Sequence, residues 1–305
     1  MTSEFRFACP TCGSSMLQED GTSQICQDGD HRFRKVDGIW RFLPEEREKT
    51  LARFVGEYET VRRAEGRGSQ DPAFYRQLPA TDPSYRRAGE WLERAHSFRV
   101  LLNHVLDPLG ESTPLQIVDV GAGNGWLSYQ MARRGHCAVA IDLSLSEEDG
   151  LGAHVHYDAA FTSIQAEFDN MPLMDGQADL VLFNASFHYS EGALKTAAEA
   201  WRIVRSGGRM ILIDTPIYHD RKSGEQMIQE RQRTFRVLFG FPSDGLESEH
   251  FLTYERVAEI SQALETPAVF LWPVPSWRRL VRRGRVWLRR QREPAQFPIL
   301  IWQKQ

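Results

Sequence analysis

A largely apolar run, Leu115-Gln116-Ile117-Val118, leads into Asp119-Val120-Gly121-Ala122-Gly123-Asn124-Gly125, and the helical pattern Trp126 to Ala132 follows at once. A buried strand, a glycine turn and a helix start in that order commit the chain to an open α/β sheet. Such a sheet carries a ligand crevice at the carboxyl end of the strand. Glycines at 121, 123 and 125 let the backbone approach a ligand where a Cβ would collide. The third glycine falls one residue too early for the dinucleotide fingerprint G-x-G-x-x-G, whose last position is held here by Trp126.

The stretch Asp119–Gly125 resembles motif I of the class I S-adenosylmethionine-dependent methyltransferases, and further segments match at the expected distances. Ala138-Val139-Ala140-Ile141-Asp142 reads as a second buried strand ending in an acid. Ala166 to Leu173 is similar to the family's loop after strand three, and Ala178 to Asn184 fits strand four. Ala198 to Asp214 resembles the helix, Gly-Gly turn and strand five of the type-11 branch. The resemblance spans most of residues 114–214. It implies S-adenosylmethionine as cofactor, held by Asp119, Gly121, Gly123, Gly125, Asp142, Glu167, Phe168 and Asn184. Asp142 would accept the ribose hydroxyls, Glu167 the adenine amino group, and the Phe168 N–H would reach the adenine ring. Glu167 departs from the pattern, because Asp is usual at its position.

Three of the four cysteines fall within residues 9–26, a spacing that speaks for reduced thiols and a metal rather than disulfides. Cys9-Pro10-Thr11-Cys12-Gly13 is a knuckle with two thiolates on one tight turn. Cys26 and His31 complete a tetrahedral set of the kind structural zinc prefers, with Asp28 or Asp30 as the alternative fourth ligand. Some forty residues bury too little core to fold alone, so a metal would supply what packing lacks. The run from His31 to Pro44 resembles the zinc ribbons of bacterial 23S rRNA guanine methyltransferases and the small zinc-ribbon activators of other methyltransferases, which leaves a protein partner for the ribbon open. Cys137 reads as a core residue of strand two.

These readings divide the chain into a zinc ribbon over 1–43, a helical linker or cap over 44–110, and a class I methyltransferase domain over 111–305. The charged stretch Glu45–Arg63 suggests a solvated helix. Trp91, Leu92, Ala95, Phe98, Leu102, Val105 and Leu106 recur at helical spacing and predict a helix against the sheet. Leu194, Ala197, Ala198, Trp201 and Val204 form the apolar face of a helix that Gly207-Gly208 ends. A polar helical stretch from Glu225 to Phe239 is placed to cover the site, and Ala268–Trp272 and Phe297–Trp302 read as the last two strands. The expected fold is α/β, a seven-stranded Rossmann-like sheet with an antiparallel last strand.

Methyl transfer is a displacement in which positioning supplies much of the acceleration, and a base is needed only if the acceptor must lose a proton. The segment Asn184–Tyr189 lacks the Pro-Pro of exocyclic-amine methylases, and no cysteine ends strand four or five, so an oxygen, a ring nitrogen or an already nucleophilic carbon remains as acceptor atom. His188 is the candidate base, its imidazole being the side chain most easily poised near neutral pH; packing behind the loop is its alternative. Tyr189, Asp214, Tyr218 and His219 lie at neighbouring strand ends. His154, His156 and Asp158 alternate as ligands might on an extended segment, though three polar residues on an exposed face explain them as well.

Between Arg278 and Arg292 lie eight arginines and no acid, although the whole chain has a formal charge of −4. With Trp277, Leu280, Val281, Trp287 and Leu288 on one helical face, this segment suits a membrane interface, RNA phosphates, or a plain cover over the sheet edge. The start of the sequence has no signal-peptide pattern, and no run is long enough to span a bilayer, so a cytoplasmic protein, peripheral at a membrane if the helix binds one, is expected. The leading functional expectation is methylation of a small or amphiphilic acceptor. An rRNA or tRNA base methyltransferase, and a cofactor-binding partner module with little activity, are the alternatives.

Overall fold

The structure, a computed structural model, describes residues 5–81, 84–109, 113–273 and 292–305. The arginine-rich segment from Trp277 onward therefore lies outside the described residues, apart from Arg292. Four short strands open the chain: β1 (Met16–Asp20), β2 (Ser23–Cys26), β3 (Arg32–Val36) and β4 (Ile39–Arg41). Helices α1 (Glu45–Ala64), α2 (Pro72–Gln77), α3 (Ala88–Leu101) and the single turn α4 (Asp107–Leu109) come next, with a π-turn joining the last two.

The α/β region then runs β5 (Gln116–Val120), α5 (Trp126–Ala132), β6 (Cys137–Asp142), β7 (Thr162–Gln165), β8 (Ala178–Asn184), α6 (Ala193–Ile203) and β9 (Val204–Ile213). It ends with β10 (Ile217–Tyr218), α7 (Arg221–Phe239), β11 (Leu252–Thr253), α8 (Tyr254–Ala263), β12 (Val269–Leu271) and β13 (Ile299–Gln303).

Seven strands take the order β7-β6-β5-β8-β9-β13-β12. The first five are parallel, and β13 runs antiparallel between β9 and β12. This is the expected sheet with its reversed late strand. Parallel strands are covered on both faces, and the alternation of side chains splits the core accordingly. Val118, Val181, Phe183 and Leu212 join one cluster with Ala197, Ile203 and Ile260 of α6 and α8. Ile117, Leu180, Leu182 and Ile211 join the other with Trp91, Phe98 and Leu127 of α3 and α5. Trp91 and Phe98 meet Trp126 edge-on, with ring centroids 5.9 and 5.4 Å away, and so seat α3 on the helix that leaves the glycine turn.

The N-terminal strands do not stand apart from this sheet. They form an antiparallel meander whose last member, β4, pairs in parallel with β7, so that Trp40 lies beside Ile164 and one sheet of eleven strands results. Trp40 and Phe42 consequently bury in the same core as β7 and β8.

Several local expectations need correction. Helix α6 ends at Ile203, and Gly207 and Gly208 lie inside β9. Its buried face is Ala193, Thr196, Ala197, Ala200 and Ile203, which leaves Leu194 exposed. The core-facing stripe is thus rotated by about one residue, because β8 and α8 select the small side chains. Leu92 points to solvent. Cys137 is only half-buried at the start of β6. His154 and His156 lie in a 3-10 turn, not an extended segment, and do separate work. The first approaches the Leu151 carbonyl at 3.0 Å, the second stacks on Tyr75, and Asp158 accepts from the Tyr129 hydroxyl at 2.7 Å.

Candidate functional site

The carboxyl ends of β5, β6 and β8 meet around the glycine turn. The N–H groups of Gly121 and Ala122 both donate to the Ile141 carbonyl, at 2.8 and 3.0 Å, so the turn is stitched to the end of β6. Gly121, Gly123 and Gly125 all have positive φ. The requirement is strictest at Gly121, where a Cβ would overlap Ser186 and stand 3.0 Å from the Phe168 ring. Ser186 cannot withdraw easily, because it is buried and its Oγ donates to the Val120 carbonyl at 2.5 Å.

Asp142 faces the turn from β6. One carboxylate oxygen accepts the Gly123 N–H at 2.8 Å and the other accepts the Ser144 N–H at 2.8 Å. A carboxylate has about four acceptor positions, so two hydroxyls of a ligand can still be received. Burial pushes its pKa above the ordinary carboxylate value. Asp119, at the end of β5, is almost fully buried. Its Oδ2 accepts from Ser128 Oγ at 3.0 Å, while Oδ1 has no partner. Desolvation raises its pKa to about 7.

Two cavities adjoin at this point. The larger, about 440 Å³, is bounded by Gly121, Asp142, Glu167, Phe168, Asn170 and one face of α1. The smaller, about 200 Å³, is bounded by Asp119, Gly123, Asn184, His188, Arg62 and Arg94. Gly121, Ala185, Tyr58 and Tyr189 border both. The expected cofactor-site residues therefore converge on one cleft, except Gly125. That glycine begins α5 in the left-handed region and packs against Phe161, where a Cβ would stand 2.8 Å from the ring.

His188 lines the smaller cavity. Burial, seconded by the positive charge of Arg231, depresses its pKa to about 3. It is therefore neutral at physiological pH, and its Nδ1 is buried without a hydrogen-bond partner. A proton acceptor so far below neutrality is a weak one. Of the other candidates, Tyr189 borders both cavities, Asp214 accepts from Ser97 Oγ at 2.6 Å, Tyr218 is buried, and His219 stacks on Tyr254.

Helix α1 was the main omission. Its outward face is charged, but Leu51, Phe54, Val55 and Tyr58 turn into the larger cavity. Their i, i+3, i+4, i+7 spacing was the signal available in the sequence. Tyr58 stands edge-on to Tyr189 at 5.8 Å, which links the roof to the loop after β8. Arg47 from the same helix clasps Glu167, with Nε 3.0 and 3.1 Å from the two carboxylate oxygens, and this raises the Arg47 pKa. Glu167 thus lies on the cavity wall as expected but already carries a fixed cation. Arg94 is the second omission: it lies over the Trp91 ring at 4.9 Å and has no ion pair among the described residues. Helix α7, expected to cover the site, bounds neither cavity; its Arg231 instead reaches His250 Nδ1 at 3.0 Å.

On the far edge of the sheet, Cys9, Cys12, Cys26 and His31 come together with their donor atoms all within 4.8 Å of one another. Cys9 Sγ lies 3.5 Å from His31 Nδ1, and Cys12 Sγ 3.3 Å from Cys26 Sγ. Ligands about 2.3 Å from a tetrahedral centre stand roughly 3.8 Å apart, so three sulfurs and one nitrogen suit a single four-coordinate ion. Gly13 N–H donates to the Cys9 carbonyl and Cys26 N–H to the His31 carbonyl, at 2.8 and 2.9 Å, closing a turn on each side of the cluster. His31, not Asp28 or Asp30, is the fourth member of the cluster.

The methyltransferase domain family matches residues 118–212, from inside β5 to near the end of β9. A malonyl-[acyl-carrier protein] O-methyltransferase of Hahella chejuensis is 33% identical over 103 residues, covering 33% of this chain and 37% of that protein. A sarcosine/dimethylglycine N-methyltransferase of Halorhodospira halochloris is also 33% identical over 103 residues, covering 32% and 37%. The chain thus spans less than two fifths of the length of these curated relatives. Among solved structures, phosphoethanolamine N-methyltransferase 2 of Haemonchus contortus with bound S-adenosylmethionine superposes with a TM-score of 0.55 at 14% identity, covering 82% of this chain and 60% of that one. Magnesium protoporphyrin IX methyltransferase of Synechocystis superposes at 0.51 and 14% identity, covering 84% and 100%. The fold is that of the class I S-adenosylmethionine-dependent methyltransferases. Within it, residues 118–212 are the part that matches the methyltransferase domain family.

Proposed function

We propose that this chain is a methyltransferase that takes its methyl group from S-adenosylmethionine and gives it to a small or amphiphilic acceptor. The observation that carries the reading is the set of unmatched polar groups around the smaller cavity. Among the described residues, Asp119 Oδ1, Asn184 Oδ1 and His188 Nδ1 are buried without partners, and Arg94, which borders the same cavity, has no ion pair. Unpaired buried polar groups cost about 1–3 kcal/mol each, so several around one cavity point to a ligand with both charges. The amino-acid end of S-adenosylmethionine is such a group, its ammonium suited to Asp119 and its carboxylate to Arg94. The larger cavity, with Asp142 at the turn and Phe168 on the wall, suits the adenosine.

The bound cofactor supplies a methyl group on a positively charged sulfur. The residues bordering both cavities, Gly121, Ala185, Tyr58 and Tyr189, would surround that centre. Aromatic faces there favour a cation, and the α1 roof excludes water. His188 would lie beside the acceptor, where it is a weak acceptor for a proton. Its low pKa suits it better to orienting an acceptor that needs little deprotonation. Zinc is the ion that the Cys3His donor set fits, as a structural centre.

The curated relatives act, by name, on a carrier-bound malonyl group and on small amines. Those acceptors support the small or amphiphilic class over an RNA base. So does the roof, since α1 opens with Glu45, Glu46 and Glu48, which would repel RNA phosphates. Among the described residues no helix is long and apolar enough to cross a membrane. A radiolabelled methyl donor, added with the protein to a cell extract that is then split into RNA, lipid, protein and small molecules, tests the reading. Label in the lipid, carrier-protein or small-molecule fraction is expected. Label in RNA alone would replace the acceptor class, and no transfer to any fraction would favour a cofactor-binding module.

A further inference from the structure

The loop after β7, which forms a wall of the larger cavity, is anchored by α6 and by the N-terminal segment as well as by Arg47 on Glu167. From α6, Glu199 accepts the Met171 N–H at 2.8 Å, and Arg202 donates to the Leu173 and Met171 carbonyls at 2.7 and 3.1 Å. From the N-terminus, the Ala8 N–H donates to the Pro172 carbonyl at 3.1 Å, and the Arg6 carbonyl accepts the Met174 N–H at 3.0 Å. A further N-terminal tie runs through a side chain. Asn170 Nδ2 donates to the Pro10 carbonyl at 2.6 Å. Pro10 lies between Cys9 and Cys12, and Asn170 itself borders the cavity and pairs with Glu167 through a backbone bridge. One amide therefore runs from the cavity wall to the backbone between two members of the metal cluster.

We propose that Asn170 is a positioning residue that couples occupation of the Cys9–Cys12–Cys26–His31 cluster to the shape of the adenosine cavity, so that metal and S-adenosylmethionine each tighten the binding of the other. The proposal rests on the reading of the larger cavity as the cofactor site. The Cys9–Gly13 turn fixes the Pro10 carbonyl only while its ligands converge. A small module that loses its ion loses much of what folds it. The Asn170 amide would then lose its acceptor, and the Glu167–Asn170 segment one mooring, leaving those of Arg47 on Glu167 and of Thr196 and Lys195 on Asp169. Coupling of this kind is reciprocal, and allosteric coupling commonly spans about 5–150-fold. With the α6 moorings intact, the low end is expected, about 5–10-fold.

The test titrates S-adenosylmethionine calorimetrically into the full zinc-loaded chain and into the same chain stripped by a chelator. Stripping should weaken binding about 5–10-fold. Asn170→Ala should weaken binding in the loaded chain and reduce the effect of stripping to less than about twofold. Equal affinity of the loaded and stripped chains overturns the coupling. If stripping unfolds the whole chain, zinc release to a chromophoric chelator is followed with and without S-adenosylmethionine. The cofactor should retard release from the natural chain and not from the Asn170→Ala variant; equal retardation in both overturns the role of Asn170. Should the loaded chain fail to bind S-adenosylmethionine at all, the cofactor reading fails, and hydrogen exchange then decides the coupling. Amides of Asn170, Met171, Leu173 and Met174 should lose protection on stripping while those of β5 and β8 keep it, and unchanged protection at these four overturns it.

Discussion

Replacing Gly121 by alanine is the most direct trial of the geometry at the glycine turn. Its φ is +71°, where an L-residue costs roughly 1–2 kcal/mol that glycine does not. The added methyl would overlap Ser186 Cβ and stand 2.9 Å from its Oγ and 3.0 Å from Phe168 Cζ. Rotation of Ser186 would move only its Oγ, breaking the bond to the Val120 carbonyl inside a buried site and leaving the overlap with Cβ. Overpacking of that kind costs about 1–3 kcal/mol, so the two effects together predict about 2–5 kcal/mol. Urea denaturation measures it, the midpoint falling with little change of slope. Ser186→Gly in the same chain should recover the overpacking part and leave the backbone part. A single Gly121→Ala variant within about 0.5 kcal/mol of the natural chain would refute the reasoning, and so would a double variant no better than the single one.

Asp142→Ala should weaken S-adenosylmethionine binding more than tenfold by calorimetry while the chain stays folded, since charge-assisted hydrogen bonds contribute about 1.5–3 kcal/mol each. Asp119 has a folded pKa raised to about 7, so its contribution to stability is fully present below the unfolded value near 4 and is lost as pH rises through 7. The ammonium of a bound ligand opposes that loss, and cofactor affinity should therefore fall as pH is lowered through 7, an effect that Asp119→Asn removes. His188 and His250 have folded values lowered to about 3 and about 4, so their contribution is present above the unfolded value near 6.5 and is lost as pH falls toward them. Melting temperature should drop below pH 6.5, and less steeply in His188→Gln. Elemental analysis should find about one zinc per chain. None at all in protein purified without chelator would dismiss the metal centre.

The strand–turn–helix order around Gly121, the strand-end acids and the Cys-x-x-Cys turn were legible because each depends on local chemistry. A positive φ, a strand terminus and a two-thiolate turn all write themselves within a few residues. Arg47 on Glu167 could not be read that way, being a contact between residues 120 apart with no pattern of its own. Arg94 was hidden for a similar reason, as one arginine on a helix whose apolar residues set the reading. Helix α1 misled through its average character: many charges outweighed four apolar side chains whose spacing named a face. The seven-stranded sheet with its antiparallel last strand followed from the family resemblance. The joining of the N-terminal meander to it did not, because parallel pairing of β4 with β7 leaves no trace in either strand alone.

That pairing sets a timetable for the chain's synthesis. β4 is made roughly 120 residues before the strand it leans on, which at about 5–20 residues per second is a wait of about 6–25 s. During that interval Trp40 and Phe42, destined for the core around β7 and β8, have only each other and the rings of Phe7 and Phe33 to cover them. The four metal-cluster residues, by contrast, all lie within residues 9–31 and need none of the later chain. An ion taken up as the chain emerges would let the meander rest folded until its sheet arrives. If zinc is that ion, its shortage would act first on the nascent chain, before it showed in the finished molecule.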